Sequence, residues 1–156
     1  MSCDISTGRL EPCLDAAGGI AAVYFVNYGG FDGIAFDTEN DSLITDLFAG
    51  SGSPDVYKFD LKGGSTLEQT INSSRENGTT SVTQTLTVML KKQDAATNNQ
   101  VKLLAYGRPH IIVEYEDGSA AVVGLYRGAE LTGGTASLGA NLQDANNYNL
   151  PFEAEE

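Results

Sequence analysis

Tryptophan is absent from this 156-residue chain, histidine occurs once and cysteine twice. The cysteines, Cys3 and Cys13, and the lone histidine, His110, fall short of the four closely spaced ligands of a zinc site, so no metal is expected. A nucleophile–base–acid triad would have to run through His110. That residue follows Pro109 at the head of a β-rich run, where a structural role is the commoner one. No Gly-x-Ser-x-Gly elbow, phosphate loop or Gly-x-Gly-x-x-Gly signature occurs. Tyr28-Gly29-Gly30 and Thr132-Gly133-Gly134 lack the lysine or the following helix that a phosphate site requires. No catalytic residue and no cofactor are therefore expected. The chain also lacks any apolar run near the roughly 20 residues that span a bilayer, so no membrane role is expected. Met1-Ser2-Cys3-Asp4 does not open a basic-then-apolar leader. Without a secretory context, reduced thiols are favoured over a disulfide. The glycosylation-pattern triplets at Asn72 and Asn77 are then read as chance.

Basic residues are scarce. Nine stand against 21 acidic ones, giving a formal charge of −12. The acids are spread along the whole chain. A surface this negative repels nucleic-acid backbones, so specific binding of DNA or RNA is not expected. A surface built to let DNA slide past would carry the same sign.

What remains is a chain of strands and turns. Eighteen glycines and a 41% hydrophobic content fit many short strands, and 156 residues suffice for one domain with a real core. Residues 1–19 read as irregular, broken by Gly8, Pro12 and Gly18-Gly19. Residues 20–28 are β-rich, with Val23, Tyr24, Phe25 and Val26 in continuous and not alternating order, as expected of a strand buried on both faces. A short strand is expected over 34–36. Leu43, Ile44, Leu47 and Phe48 form an apolar island in a polar loop and are read as anchoring it into the core. In 56–62, Tyr57, Phe59 and Leu61 alternate with Val56, Lys58 and Asp60. Strands over 66–72 and 79–92 flank the polar segment 73–78. In the second of these, Val82, Gln84, Leu86, Val88 and Leu90 share one face, and Ser81, Thr83, Thr85 and Thr87 the other. An uncharged hydroxyl face is either a plain solvent face or one that meets a neighbouring copy or a passage.

One helix is expected over 93–106. Asp94 is its N-cap, Gly107 its C-cap, and Val101, Leu103 and Leu104 its apolar side. Arg108-Pro109 stops it. From 107 onward the chain alternates at period two, most clearly at Tyr148, Leu150, Phe152 and Ala154, so one face is buried and one left polar. Glu114 and Glu116 are read on one strand face, as a solvated pair in preference to an acid and base. Asp37, Glu39 and Asp41 alternate in a loop without the glycine and distal glutamate of a calcium loop. The expected class is mostly β, a sandwich or barrel with one flanking helix.

Four stretches carry a resemblance. The run Glu68-Gln69-Thr70-Ile71-Asn72-Ser73-Ser74-Arg75-Glu76-Asn77-Gly78-Thr79 with its following long strand is similar to part of the phage tail tube family. So are Lys102-Leu103-Leu104-Ala105-Tyr106-Gly107 and Val123-Gly124-Leu125-Tyr126-Arg127-Gly128-Ala129-Glu130, and the ending Tyr148-Asn149-Leu150-Pro151-Phe152-Glu153-Ala154. The likeness covers about residues 56–154. It implies one tail-tube-like domain over 1–156, related to the tubes of contractile injection systems. It also implies homo-hexameric rings stacked into a conduit for phage DNA, in the virion tail, assembled in the host cytoplasm. Sheath, tape-measure and tail-end proteins would be its partners. On this reading Asn72, Ser73, Ser74, Arg75, Glu76 and Asn77 bridge successive rings, and Ser81, Thr83, Thr85 and Thr87 face the channel or a neighbouring subunit. Two alternatives stand beside it: another virion part (head–tail connector, tail terminator or capsid decoration protein), and a ligand-binding or enzymatic β domain.

Overall fold

A computed structural model describes residues 4–5, 7–50, 54–61 and 63–156. Cys3 and Lys62 lie outside them, and Cys13 is exposed. In chain order the elements are β1 (Ile20–Val26), β2 (Ala35–Phe36), β3 (Ile44–Asp46), β4 (Val56–Asp60), β5 (Thr66–Ser74) and β6 (Thr79–Lys91). Then come α1 (Ala95–Tyr106), β7 (His110–Tyr115), β8 (Ala120–Val123), β9 (Glu130–Leu131), β10 (Thr135–Ser137) and β11 (Asn147–Glu155). The described residues before β1 form neither helix nor strand.

The fold is mainly β, with antiparallel sheets and one helix among the described residues. One sheet runs β4-β1-β7-β8. A second runs β10-β11-β6-β5, with β9 also pairing β11, and β2-β3 form a small ribbon. As expected of a strand flanked on both sides, β1 buries both faces: Ala22, Val23, Phe25 and Val26 are all under 5% exposed. One buried cluster draws on both larger sheets, with Val23, Phe25, Ile111 and Val113 from the first and Leu86, Val88, Leu150 and Phe152 from the second. Phe25 and Phe152 meet across the gap at 5.5 Å between ring centroids.

Polar pegs fasten this core. Gln84 points inward from β6 and is 8% exposed. Its amide donates to the Val122 carbonyl at 3.2 Å and accepts from the Gly124 N–H at 3.1 Å, tying one sheet to the last strand of the other. The turn after β8 needs its glycines. Gly124 has φ +70°, and a Cβ there would lie 2.3 Å from the Gly128 carbonyl carbon. The Glu156 carboxylate caps this turn, accepting from the Tyr126 and Arg127 amides at 2.9 and 3.1 Å.

The helix begins two residues later than the sequence suggests. Asp94 is extended and its carboxylate accepts from Thr97 N at 2.7 Å, the N-cap expected of it; that bond holds its pKa below the usual carboxyl range. Gly107 closes the other end in extended backbone, donating to Leu103 O at 3.2 Å. Val101 and Leu104 pack on the core, but Leu103 is 57% exposed and does not join them. The Tyr148 hydroxyl fastens the helix start, meeting Asn98 Oδ1 and, at 3.3 Å, the Asp94 carbonyl.

The apolar island is the clearest departure. Leu43, Ile44, Leu47 and Phe48 lie outside the buried cluster, and Leu43 is more than half exposed. Their segment pairs as β3 with β2 and rims a groove of about 540 Å³ floored by Gln84, Ile112 and Val122.

Candidate functional site

The strand pairings set out the outer face of the β5-β6-β11 layer row by row. Thr66, Thr87 and Pro151 form one row; Glu68, Thr85 and Glu153 the next; Thr70, Thr83 and Glu155 the third; Asn72 and Ser81 the fourth. Alternation turns Gln84, Leu86 and Val88 inward and leaves Thr83, Thr85 and Thr87 on the opposite face. From Thr79 to Thr87 no lysine or arginine stands on this face, and the three charged residues in the rows are carboxylates. Within β5, β6 and β11 the one cation is Lys91, at the far end of β6, and Arg75 stands in the turn at the opposite end. The hydroxyl face read from sequence is thus the middle of a wider acidic and hydroxylated surface. Glu68, Glu153 and Glu155 were missed, because cross-strand neighbours stand 17 or more positions apart in the chain. On this face Asn72 Nδ2 donates across the rows to Thr83 Oγ1 at 2.8 Å, and on the opposite face Ser73 Oγ meets Thr80 Oγ1 at 3.3 Å.

The hairpin of β5 and β6 carries the remaining expected residues. Its loop is shorter than the sequence implies: Ser73 and Ser74 continue β5 beyond Asn72, and only residues 75–78 turn. Ser74 pairs with Thr79 at the last rung, and Gly78 takes φ +63° at the turn. Around this tip the hairpin leaves the core. Arg75, Glu76 and Asn77 are exposed, and Ile71 is 72% exposed on the face turned toward the groove. The structure therefore puts the 72–77 group at the end of a projecting arm, and Thr83, Thr85 and Thr87 nearer its root.

No family model, curated protein or solved structure matches this chain.

Side chains with chemical potential are already engaged. His110 is 3% exposed, stacked between Phe31 at 4.4 Å and Tyr28 at 5.4 Å. Its Nδ1 lies 2.6 Å from the Gly124 carbonyl and so donates, while Nε2 accepts from the Gly29 N–H at 3.3 Å. With both ring nitrogens used, it has no lone pair to offer a nucleophile. Glu114 accepts from the Tyr24 hydroxyl at 2.9 Å, which raises the Tyr24 phenol above its ordinary value. Glu116 does not share that strand face; it lies in the turn beyond β7, its amide donating to Gly19 O at 3.2 Å. Asp37 spends a carboxylate oxygen on the amides of Glu39 and Asn40, a local turn. No group of three or more His, Cys, Asp or Glu side chains that could hold a metal ion occurs among the described residues.

Proposed function

We propose that this chain is a structural subunit of the tail-tube kind, whose copies close into six-membered rings that stack into a hollow conduit for phage DNA. The two larger sheets face one another across one core, which we read as a sandwich with a flanking helix. The row Glu68–Thr85–Glu153 carries the proposal. A passage for DNA must repel phosphate weakly and uniformly while offering no cation to catch it, and hydroxyls flanked by carboxylates do that. On this reading the face of Ser81, Thr83, Thr85 and Thr87 lines the channel or the contact beside it, and the tip 72–77 reaches the next ring. The engagement of His110 and Glu114 in fixed hydrogen bonds argues against an enzyme.

Negative-stain microscopy of the purified chain is the test. Stacked tubes with a central channel are the expected result. Single rings that never stack would move the assignment to a connector or terminator, and dispersed monomers at high concentration would overturn it.

A further inference from the structure

A second surface lies away from the hydroxylated face. Tyr28, Tyr57 and Leu103, each at least 50% exposed, wall a pocket of about 290 Å³ whose floor is Phe25 and Phe59, edge to face at 5.0 Å. Exposed apolar side chains gathered in this way mark a contact surface. The volume sits at the small end of ligand pockets and suits one or two side chains better than a whole ligand. Arg108 is the one charged residue in the wall. Its guanidinium lies 4.1 Å from the Tyr28 ring centroid, and no carboxylate pairs with it among the described residues.

The segment before β1 supplies a matching shape. Leu10 and Leu14 are 92% and 103% exposed, and each is followed by an acid. Glu11 meets Arg9 at 3.9 Å, whereas Asp15 forms no ion pair among the described residues. Leu14-Asp15 thus offers an apolar side chain beside a carboxylate, the complement of an apolar pocket with one guanidinium. We propose that Leu14 of one copy enters this pocket on a second copy, with Asp15 placed on Arg108. The larger groove is a poor rival, since its single charged wall residue is Asp46, which repels Asp15.

Leu14 is fully exposed and does not occupy this pocket on its own copy, so the occupant proposed is the Leu14 of another. The contact does not depend on ring or tube formation, so it and the tube reading fail separately.

The test uses the full chain with a photo-crosslinking phenylalanine analogue at position 14, mixing isotopically light and heavy copies. Crosslinks joining light to heavy chains at Tyr57 or Leu103 are expected. Arg108→Glu should cut their yield about tenfold, and adding Asp15→Arg to it should restore the yield. Asp15 is exposed, so Asp15→Arg alone keeps the fold and should give the same tenfold loss. Crosslinks confined to one chain, crosslinks to residues 42–48, or a yield indifferent to Asp15→Arg would each overturn the proposal.

Discussion

Gln84 shows what a single inward polar side chain does here. Its two partners, the Val122 carbonyl and the Gly124 amide, are backbone groups at the free margin of the other sheet. Leucine has a similar volume but would orphan both, at about 1–3 kcal/mol for each buried group left unsatisfied. Gln84→Leu should therefore lower stability by roughly 2–4 kcal/mol in urea denaturation, despite its gain in hydrophobicity. The sequence placed Gln84 among apolar neighbours but could not name partners 38 and 40 positions away. His110 was read as structural, yet its stacking on Tyr28 and Phe31 depends on a loop that no local pattern specifies. Carboxylates set the acid response. Asp94, Asp117 and Asp144 all titrate below the ordinary 3.8, chiefly through hydrogen bonds from Thr97, Ser119 and the Asn141 amide. Their native forms bind fewer protons than the unfolded chain, so their stabilisation is present above the ordinary carboxyl value and lost as pH falls through the depressed values. The urea midpoint should fall between pH 5 and 2, and Asp144→Asn should flatten part of that fall. A midpoint independent of pH in that range would contradict these assignments.

Among the elements, β6 and β11 were the most legible. Both alternate over nine residues or more, and a slip of one register would bury threonines and expose aliphatics. Leu86 is fully buried, so Leu86→Ala should cost roughly 2–5 kcal/mol through lost burial and the cavity left behind. Thr85→Lys should leave the melting temperature within a few degrees, because position 85 is exposed between Glu68 and Glu153. If Thr85→Lys unfolded the chain while Leu86→Lys did not, the facing of this strand would be reversed. The helix was legible in extent but not in its apolar side. Val101 and Leu104 stand three apart and share a face, whereas Leu103 is rotated about 100° from Leu104 at 3.6 residues per turn. The island at 43–48 misled because apolar content alone does not place a segment. Two- and three-residue strands pair too briefly to be held by pattern, and this ribbon settles at a groove rim.

For the whole molecule, charge and reach pull in opposite directions. Copies carrying −12 each repel one another, and this repulsion weakens once salt shortens the screening length to about 10 Å at 0.1 M. On the tube reading proposed above, contacts at the hairpin tip must win against what remains. An exposed Arg75–Glu76 pairing between copies is worth only about 0–1 kcal/mol, but it would recur at every subunit of every ring. The neutral hydroxyls and amides of 72–80 add hydrogen-bonding capacity that salt does not weaken. Tubes should therefore lengthen from low to moderate salt, since the screened repulsion acts over all charges and the weakened pairing over two. Removal of residues 73–78 separates the arm from the fold. The residues removed make no contribution to the buried cluster, so the shortened chain should keep its melting transition by circular dichroism. It should still form rings if ring closure uses other edges, but the rings should fail to stack under the microscope at any salt concentration. Full-length tubes from this variant would show that the projecting hairpin plays no part in joining one ring to the next.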